Sequence, residues 1–296
     1  MPLAAISIDV DSLWVIAGNI GESAAVEENA IYTDAIPAFL RLLDGLSIKA
    51  TFFCVGRDLS IAGNRDVLAE VVRQGHEVAN HSMTHPKDWT ALGPDEIEAE
   101  VTAGDAALRE AGVGTISGFR ASGYYLDDRL VSAVRRAGYT YDSSVMPSFA
   151  VPLLMPIGRM LMARSFRGRW SYGRLSWAWA PLRPYRVDGL LELPIACIPV
   201  VRVPFHSTFV FAAGFWLFRW GLTAFRRSAL PLVYVFHAVD LLDGSADDRL
   251  KRYMTTQVPL ARRLAAVRAI LEQIVGSYRV VTCAQLADDV RRGMSL

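Results

Sequence analysis

Hydrophobic and polar positions along the chain alternate with two different periods, and this pattern predicts a repeating order of strands and helices. Short apolar or β-branched runs predict strands at residues 3–10, 49–55, 77–80, 118–121, 139–144, 232–236 and 278–282. Apolar residues at helical spacing predict helices at residues 33–46, 64–74, 93–111, 127–137 and 258–274. Polar residues recur where the strands end. The fold class that this order predicts is α/β, a parallel barrel with its site at one rim.

The overall composition narrows the class of protein. The 296 residues carry a net charge of +1, so nothing draws the whole chain toward nucleic acid. The longest apolar stretch, residues 209–218, ends at Arg219 and is shorter than the ~20 residues that a spanning helix needs. The first residues lack a basic region, and the three cysteines form no CxxC pair. We therefore expect no signal peptide, buried reduced thiols and a cytoplasmic location.

Residues 146–230 depart from the alternating pattern and differ in charge from the rest. They hold eleven arginines, no lysine and two acids, a net charge of +9, which leaves −8 for the remainder. Five of the seven tryptophans lie there as well. Arginine with tryptophan and long apolar side chains suits a surface that rests in lipid headgroups, peripheral on the inner membrane face. One alternative is a helical insertion packed on the barrel, with its arginines reaching water. Nucleic-acid binding is a third and weaker interpretation, because the tryptophans lie among aliphatic residues.

Two acids and two histidines supply a candidate metal site. Asp9 and Asp11 end the first predicted strand and point to one side of it if it stays extended. His81 and His85 are four residues apart, and on a helical turn both rings would face one way. Two imidazoles and one carboxylate can hold a divalent ion, and the second carboxylate can then take a proton from water. The alternatives are solvated loop acids and exposed or capping histidines.

Four further residues lie at strand ends where chemistry is expected. Arg120 can pair with a catalytic carboxylate or form a surface salt bridge, and the glycine-flanked turn to Tyr124 can present a backbone N–H to an oxyanion. Asp142 can pair with Arg120, orient a histidine or cap a turn. His237 follows a strongly β-forming run and can protonate a leaving amine or serve as a structural donor. The sequence suggests no partner for His206.

Taken together, these pieces resemble the polysaccharide deacetylase family, the carbohydrate esterases with a NodB-type domain. The matching segments, in order, are SIDVD at 7–11, ATFFCVG at 50–56, GHEVANHSMTH at 75–85, GFR at 118–120, YDSS at 141–144 and VFH at 235–237. Two departures stand out. Val10 separates acids that are usually adjacent, as in the subgroup with lipid-linked aminoarabinose deformylases and intracellular deacetylases. Gly123 stands before Tyr124, where the family usually has proline.

The resemblance implies a distorted (β/α) barrel of the NodB type and a set of roles. It implies that Asp9 is the general base, that Arg120 is its partner and that His237 is the general acid. Asp11, His81 and His85 would be the metal ligands, the backbone near Tyr124 would help form the oxyanion site, and Asp142 lies in a matching motif. Zn²⁺ is the metal we expect for this set, although iron, cobalt or nickel suits the same ligands.

The expected function is metal-dependent removal of an N-acyl group, acetyl or formyl, from an amino sugar. We expect residues 1–296 to form one deacetylase-like domain with an insertion at about 146–230. With no signal peptide and an arginine–tryptophan surface, we expect a substrate linked to polyprenyl phosphate at the cytoplasmic membrane face. The alternatives are a soluble N-acyl sugar or cyclic amide as substrate, and a non-catalytic family member that binds a glycolipid.

Overall fold

Nine strands form one curled sheet in the part of the chain that the structure describes. The structure is a computed structural model that describes residues 1–25, 28–149 and 175–294. The strands are β1 (Leu3–Val10), β2 (Thr51–Cys54), β3 (Glu77–Asn80), β4 (Gly118–Phe119), β5 (Tyr141–Asp142), β6 (Tyr185–Val187), β7 (Leu190–Glu192), β8 (Leu232–His237) and β9 (Arg279–Val281). Each predicted strand is therefore present, with bounds that differ by a few residues.

The sheet is parallel except at one edge. Its order is β6-β7-β5-β4-β3-β2-β1-β8, and only the β6–β7 hairpin is antiparallel. Strand β9 pairs with the first residues of β1, Leu3 to Ala5, whereas β2 pairs with Ser7 to Val10. Because the long parallel strands run the same way, their carboxyl ends meet at one rim, where α/β barrels carry their sites.

A short segment after β7 connects the two edges of the sheet. The backbone N–H of Ile195 donates to Val145 beyond β5, at 2.9 Å, and that of Ala196 donates to Val233 on β8, at 3.0 Å. These bonds turn the open sheet into a distorted barrel. Strand β7 and this segment lie inside residues 146–230, so part of that arginine-rich stretch belongs to the barrel itself.

The two faces of the sheet carry different side chains, as the two-residue period of a strand requires. On β1, Ala4, Ile6 and Ile8 face outward into the large core beneath the helices. Ala5 faces the barrel interior, where it meets Phe53, Ala79 and Val233. Polar residues of the same inward face, Ser7 and Asp9, follow toward the rim and are buried. The barrel interior therefore changes from apolar to polar toward the carboxyl ends of the strands.

Helices cover the outside of the barrel and close its bottom. They are α1 (Leu13–Asn19), α2 (Ile36–Gly45), α3 (Ala62–Arg73), α4 (Pro94–Glu110), α5 (Asp128–Arg136), α6 (Ser207–Ala213), α7 (Phe215–Ser228), α8 (Leu260–Val275) and α9 (Cys283–Met294). A π-helical turn, Ile31–Ala35, precedes α2. Cys283, Leu286 and Ala287 of α9 pack into the inner apolar cluster. The three cysteines are buried and unbonded to one another, as expected.

Candidate metal centre and catalytic site

The predicted site residues come together because their strands end at the same rim. Asp9 and His237 are register partners on the neighbouring strands β1 and β8. His81 follows β3 directly, and Arg120 follows β4. Asp11 lies one residue beyond the end of β1. The topology thus brings residues far apart in sequence to one end of the barrel.

Asp11, His81 and His85 form a buried group whose geometry suits a divalent ion. Asp11 Oδ1 lies 3.5 Å from His81 Nε2 and 3.2 Å from His85 Nε2. One ligand atom from each of the three residues lies within 4.8 Å of the others. Ligands at 2.0–2.1 Å around a tetrahedral ion are about 3.4 Å apart. The spacing therefore fits a small ion held between one carboxylate and two imidazoles.

The charges around this group also favour a cation. Burial works to raise the pKa of Asp11, but His85 and His81 outweigh burial and hold that pKa well below its usual value. Burial works to lower the pKa of His81, but its contact with Asp11 and the charge of Asp9 raise it. The Asp11 carboxylate is thus kept ionised in a place with little water. A bound cation would replace the protons on the imidazoles and balance this charge.

The two imidazoles converge without a helical turn. Residues 81–85 are irregular, and both Ser82 and His85 have positive φ angles, 67° and 51°. The Oγ atom of Ser82 accepts from the backbone N–H of His85 at 3.1 Å. His81 Nδ1 lies 2.7 Å from the carbonyl oxygen of Arg120, so Nδ1–H can donate there and leave the Nε2 lone pair facing Asp11. The helical turn considered from sequence is therefore absent, although the rings do share one side.

Helix α4 holds this loop from outside the barrel. The Glu100 carboxylate accepts from the backbone N–H of Thr84 at 2.8 Å and from its hydroxyl at 2.6 Å. Gly104 lets the helix approach closely, because a Cβ atom there would lie 2.5 Å from Asn80 Oδ1 and 3.0 Å from the carbonyl carbon of Ser82. Neither residue was identified from sequence, since a helix that packs on a ligand loop leaves no spacing signal.

A second buried acid fastens the loop that carries Asp11. Asp58 accepts from Ser12 Oγ at 2.5 Å and from Trp14 Nε1 at 2.6 Å. Burial raises the pKa of Asp58 to about 6, although these two donors lower it. Asp58 thus fixes residues on the carboxyl side of the candidate ligand. No motif or spacing in the sequence indicates this role for Asp58.

Arg120 is buried in the barrel interior and touches the second carboxylate. Its side chain is fully buried, so the surface salt bridge considered from sequence is wrong. Nη1 donates to Asp9 Oδ1 at 2.5 Å and to Ser7 Oγ at 3.0 Å. Nε and Nη2 donate to the carbonyl and hydroxyl oxygens of Ser143, and the guanidinium lies over the Phe53 ring at 4.0 Å. This network fixes Asp9 in place and balances its charge.

His237 and Tyr124 meet across the rim. The Tyr124 hydroxyl lies 3.3 Å from His237 Nε2, and the Thr208 hydroxyl lies 3.4 Å from His237 Nδ1. Asp240 Oδ2 accepts from the backbone N–H of His237 at 3.0 Å, which fixes the end of β8. Tyr124 has a φ angle of 56°, following the turn at Gly123. An imidazole is thus placed beside the acid Asp9, with a phenol next to it.

Asp142 caps the turn that follows β5, as one alternative from its sequence context predicts. Its carboxylate accepts from the backbone N–H of Ser144 at 3.0 Å and from the Ser144 hydroxyl at 2.9 Å. It also shares a hydrogen bond with Glu192 of β7, its register partner. Burial first, and then the charge of Asp142, raises the pKa of Glu192 well above its usual value. Arg120 donates to Asp9 and Ser143 instead, so Asp142 lies with a second acid outside the Asp9 network.

Parts of the chain are similar to known deacetylases. Residues 24–141 match the model of the family described as polysaccharide deacetylase. This range contains His81, His85 and Arg120 but not Asp9, Asp11 or His237. The chain is 39% identical over 75 residues to a chitooligosaccharide deacetylase of Bradyrhizobium, covering 25% of this chain and 33% of that protein. It is 31% identical over 104 residues to a peptidoglycan-N-acetylglucosamine deacetylase of Bacillus cereus, covering 35% and 46%.

A solved structure extends the similarity to nearly the whole fold. A protein from Mycobacterium smegmatis that was assigned to the polysaccharide deacetylases superposes with a TM-score of 0.65, covering 99% of this chain and 91% of that one. At 19% identity this likeness concerns the fold alone. The matches to the two curated deacetylases span a third of the first and under half of the second.

Proposed function

We propose that this chain is a metal-dependent hydrolase of the NodB-type polysaccharide deacetylase family, and that it removes an acetyl or formyl group from the nitrogen of an amino sugar. One observation carries the proposal: two carboxylates with different partners lie at the same rim of the barrel. Asp11 lies against His81 and His85, whereas Asp9 lies against Arg120 and beside His237. Hydrolysis of an amide needs both an activated water and a proton for the leaving nitrogen, and these groups can supply both.

In this proposal Asp11, His81 and His85 would hold the ion, and Zn²⁺ is the one we expect. When bound, a divalent ion would act as a Lewis acid toward the acyl carbonyl and make water more acidic. Asp9 takes the proton from the attacking water, because Arg120 Nη1 donates to its carboxylate and orients it. The backbone N–H near Tyr124 donates to the oxygen on which negative charge develops.

The departing nitrogen receives its proton from His237 as the carbon–nitrogen bond breaks. The imidazole lies at the rim next to Asp9 through strand pairing, and the Tyr124 and Thr208 hydroxyls lie near its two nitrogens. These contacts hold the ring in one orientation. The products are the free amine of the sugar and the carboxylic acid of the acyl group, so the proton removed by Asp9 and the one given by His237 balance.

Elemental analysis tests the metal site directly. The wild type, purified without chelator, should contain about one divalent ion per chain and release acetate from N-acetylated chitooligosaccharides. His81→Ala should lose both, because two ligands bind a small ion far more weakly than three. His76→Asn is the matched control. His76 is also a buried histidine, but its Nδ1 accepts from the Ala50 backbone N–H at 3.1 Å. A His81→Ala variant with a full complement of metal would refute the site.

The finer proposal is that the substrate is linked to a lipid and is met at the cytoplasmic face of a membrane. Support comes from the exposed face of α7. Trp216 and Trp220 are 62% and 44% exposed, and Arg219, Arg226 and Arg227 share that side of the helix. From residue 193 to residue 239 the sequence has no acid. Interfacial tryptophan with arginine suits anionic headgroups. None of the described helices has the length and apolar character to cross a bilayer.

Sedimentation with vesicles tests the membrane proposal. The protein should co-sediment with vesicles containing phosphatidylglycerol and much less with pure phosphatidylcholine, and added salt should release it. Arg226→Glu with Arg227→Glu should weaken binding at least about tenfold, at roughly 1 kcal/mol for each charge near the surface. Arg41→Glu with Arg65→Glu makes the same charge change on exposed positions of α2 and α3. Absence of binding to anionic vesicles would leave a soluble N-acyl sugar or a cyclic amide as the substrate class.

A further inference from the structure

His206 is buried beside the candidate catalytic residues and has no hydrogen-bond partner among the described residues. It is 3% exposed, and neither Nδ1 nor Nε2 meets a donor or acceptor. The residue comes directly before α6, on the wall that the segment after β7 adds to the rim. Its ring centre lies 6.1 Å from that of Tyr124 and 6.1 Å from that of His237. Phe209 packs edge-on against it at 5.0 Å.

A buried imidazole without a hydrogen-bond partner destabilises the folded protein. A buried polar group that makes no hydrogen bond costs about 1–3 kcal/mol. Other buried side chains of the site have partners. His81 contacts a carbonyl oxygen, and Arg120 donates to four oxygens. The position of His206 next to Tyr124 and His237 indicates that its partner arrives with the substrate.

The charge state of His206 restricts what this partner can be. Burial, and then the charges of His237 and Arg120, lowers the pKa of His206 to about 3. The ring is therefore neutral at physiological pH, with one N–H donor and one lone-pair acceptor. Such a ring pairs with a hydroxyl or an amide, which also donate and accept. It offers no charge to a phosphate or a carboxylate.

We propose that His206 is a specificity-determining residue that binds an uncharged hydroxyl or amide group of the substrate, next to the acyl group that reacts. The inference rests on the proposed deacylase function and extends it by assigning a sugar contact to the segment between β7 and β8. An N-acylated sugar carries several neutral hydroxyls and one amide within a few bonds of the scissile bond. Charged groups of a carrier would have to lie elsewhere, toward the exposed arginines of α7.

Binding and turnover measured together test this inference. The probe is N-acetylated chitotriose. Turnover of this trisaccharide is measured in the wild-type background. Binding is measured by calorimetry in the Asp9→Asn background, which should not hydrolyse the trisaccharide. His206→Phe keeps a ring of similar size and removes both polar atoms. We expect it to raise KM and Kd about tenfold and to leave kcat and the pH profile nearly unchanged. His206→Asn, which offers one donor and one acceptor group, should recover part of the affinity.

Phe209→Leu is the control, because it disturbs the packing of the same ring without removing a polar atom and should change KM less than about twofold. Equal KM and Kd for His206→Phe and the wild type would overturn the inference and leave His206 a packing residue or one satisfied by trapped water. A loss confined to kcat with a shifted pH profile would also overturn it, since His206 would then act on His237. The inference would also be overturned if the trisaccharide did not bind at all.

The two proposals fail in distinguishable ways. If metal-loaded wild type binds the trisaccharide without cleaving it, and His206→Phe weakens that binding, the deacylase function is wrong and the contact stands. If the wild type cleaves the trisaccharide and His206→Phe cleaves it with the same KM, the function stands and the contact is wrong.

Discussion

The polar side chains in the two halves of the barrel rim differ in the partners they contact. At the ends of β1, β3 and β4, each buried charge meets a specific opposite charge or donor, as Asp9 does with Arg120. At the ends of β5 and β7, two acids, Asp142 and Glu192, face each other and share a hydrogen bond. Further along, between β7 and β8, the ring nitrogens of His206 have no hydrogen-bond partner among the described residues.

This difference indicates a division of labour between the halves. A network of paired charges and donors holds its groups in one geometry, which is what metal binding and proton transfer require. The second half instead closes the barrel through Ile195 and Ala196, and carries the exposed tryptophans of α7. Its polar groups either stabilise the fold or are available to bind a ligand. We therefore propose that the reaction takes place in the first half, with His237 supplied from the end of β8, and that the second half selects the substrate.

The largest effect that would test this division is expected from Asp9→Asn. The asparagine keeps the shape of the side chain but cannot take a proton, and general-base catalysis contributes roughly 10²–10⁴-fold. We expect kcat to fall by about that factor while the metal content stays at the wild-type level. Activity assays and elemental analysis on the same preparation measure both.

Ser7→Ala is the matched control for Asp9→Asn. Ser7 Oγ also accepts from Arg120 Nη1, at 3.0 Å, so its loss disturbs the same guanidinium without removing a base. It should keep kcat within about threefold, because one neutral hydrogen bond contributes about 1 kcal/mol or less. Full activity in Asp9→Asn would contradict the role of base. Loss of metal in that variant would show that Asp9 is a ligand.

Much of the first half could be predicted from sequence, because its signals are local. The strand Leu3–Val10 was predicted with the same bounds, and the run HSMTH places two imidazoles within five residues of each other. The residues that support them were not predictable in this way. Asp58 and Gly104 act through space on loops from other elements, and no spacing in the chain relates them to Asp11 or to His81.

Residues of the second half were harder to assign from sequence. Asp142 stands in a motif beside Tyr141, but only the pairing of β5 with β7 shows that its side chain meets Glu192. Six of the eleven arginines counted in residues 146–230 lie among the described residues, and those of 150–174 lie outside them. The membrane interpretation is therefore argued from α7, whose helical face is defined by the structure. The proposed boundaries of the domain and of the insertion stay predictions.

A smaller effect is expected from Gly104→Ala, which tests how tightly the first half is held. The added methyl group would meet the Asn80 side chain at 2.5 Å and the Ser82 backbone at 3.0 Å, so the ligand loop must shift. We expect a loss of about 1–3 kcal/mol in the free energy of unfolding, as for other overpacked sites, and weaker metal binding in a competition titration with a chelator. The helix propensity of alanine offsets part of the loss.

Gly63→Ala provides the comparison, since it adds the same methyl group to α3 with nothing within 4 Å. It should be neutral or stabilise by up to about 1 kcal/mol. If Gly104→Ala behaved like Gly63→Ala in both stability and metal affinity, close packing of α4 would not be what fixes the His81–His85 loop.

The smallest and most specific effect is expected from Glu192→Gln. This substitution tests whether Asp142 stabilises the fold or takes part in the catalytic site. Burial, and then Asp142, raises the folded-state pKa of Glu192 above its value in the unfolded chain. The protonated pair therefore stabilises the wild type at low pH, and this contribution is lost as pH rises from about 4.5 toward the folded-state pKa. Over that interval the free energy of unfolding of the wild type should fall by up to about 1.4 kcal/mol per pH unit relative to Glu192→Gln, which has no proton to release.

Urea unfolding across pH measures this slope. Asp188→Asn, which changes an exposed acid of the β6–β7 hairpin, should leave the slope unchanged. Metal content and turnover should also stay unchanged in Glu192→Gln. A variant with wild-type pH dependence of stability but little turnover would instead place Asp142 and Glu192 in the catalytic site, and the division between the two halves of the rim would be wrong.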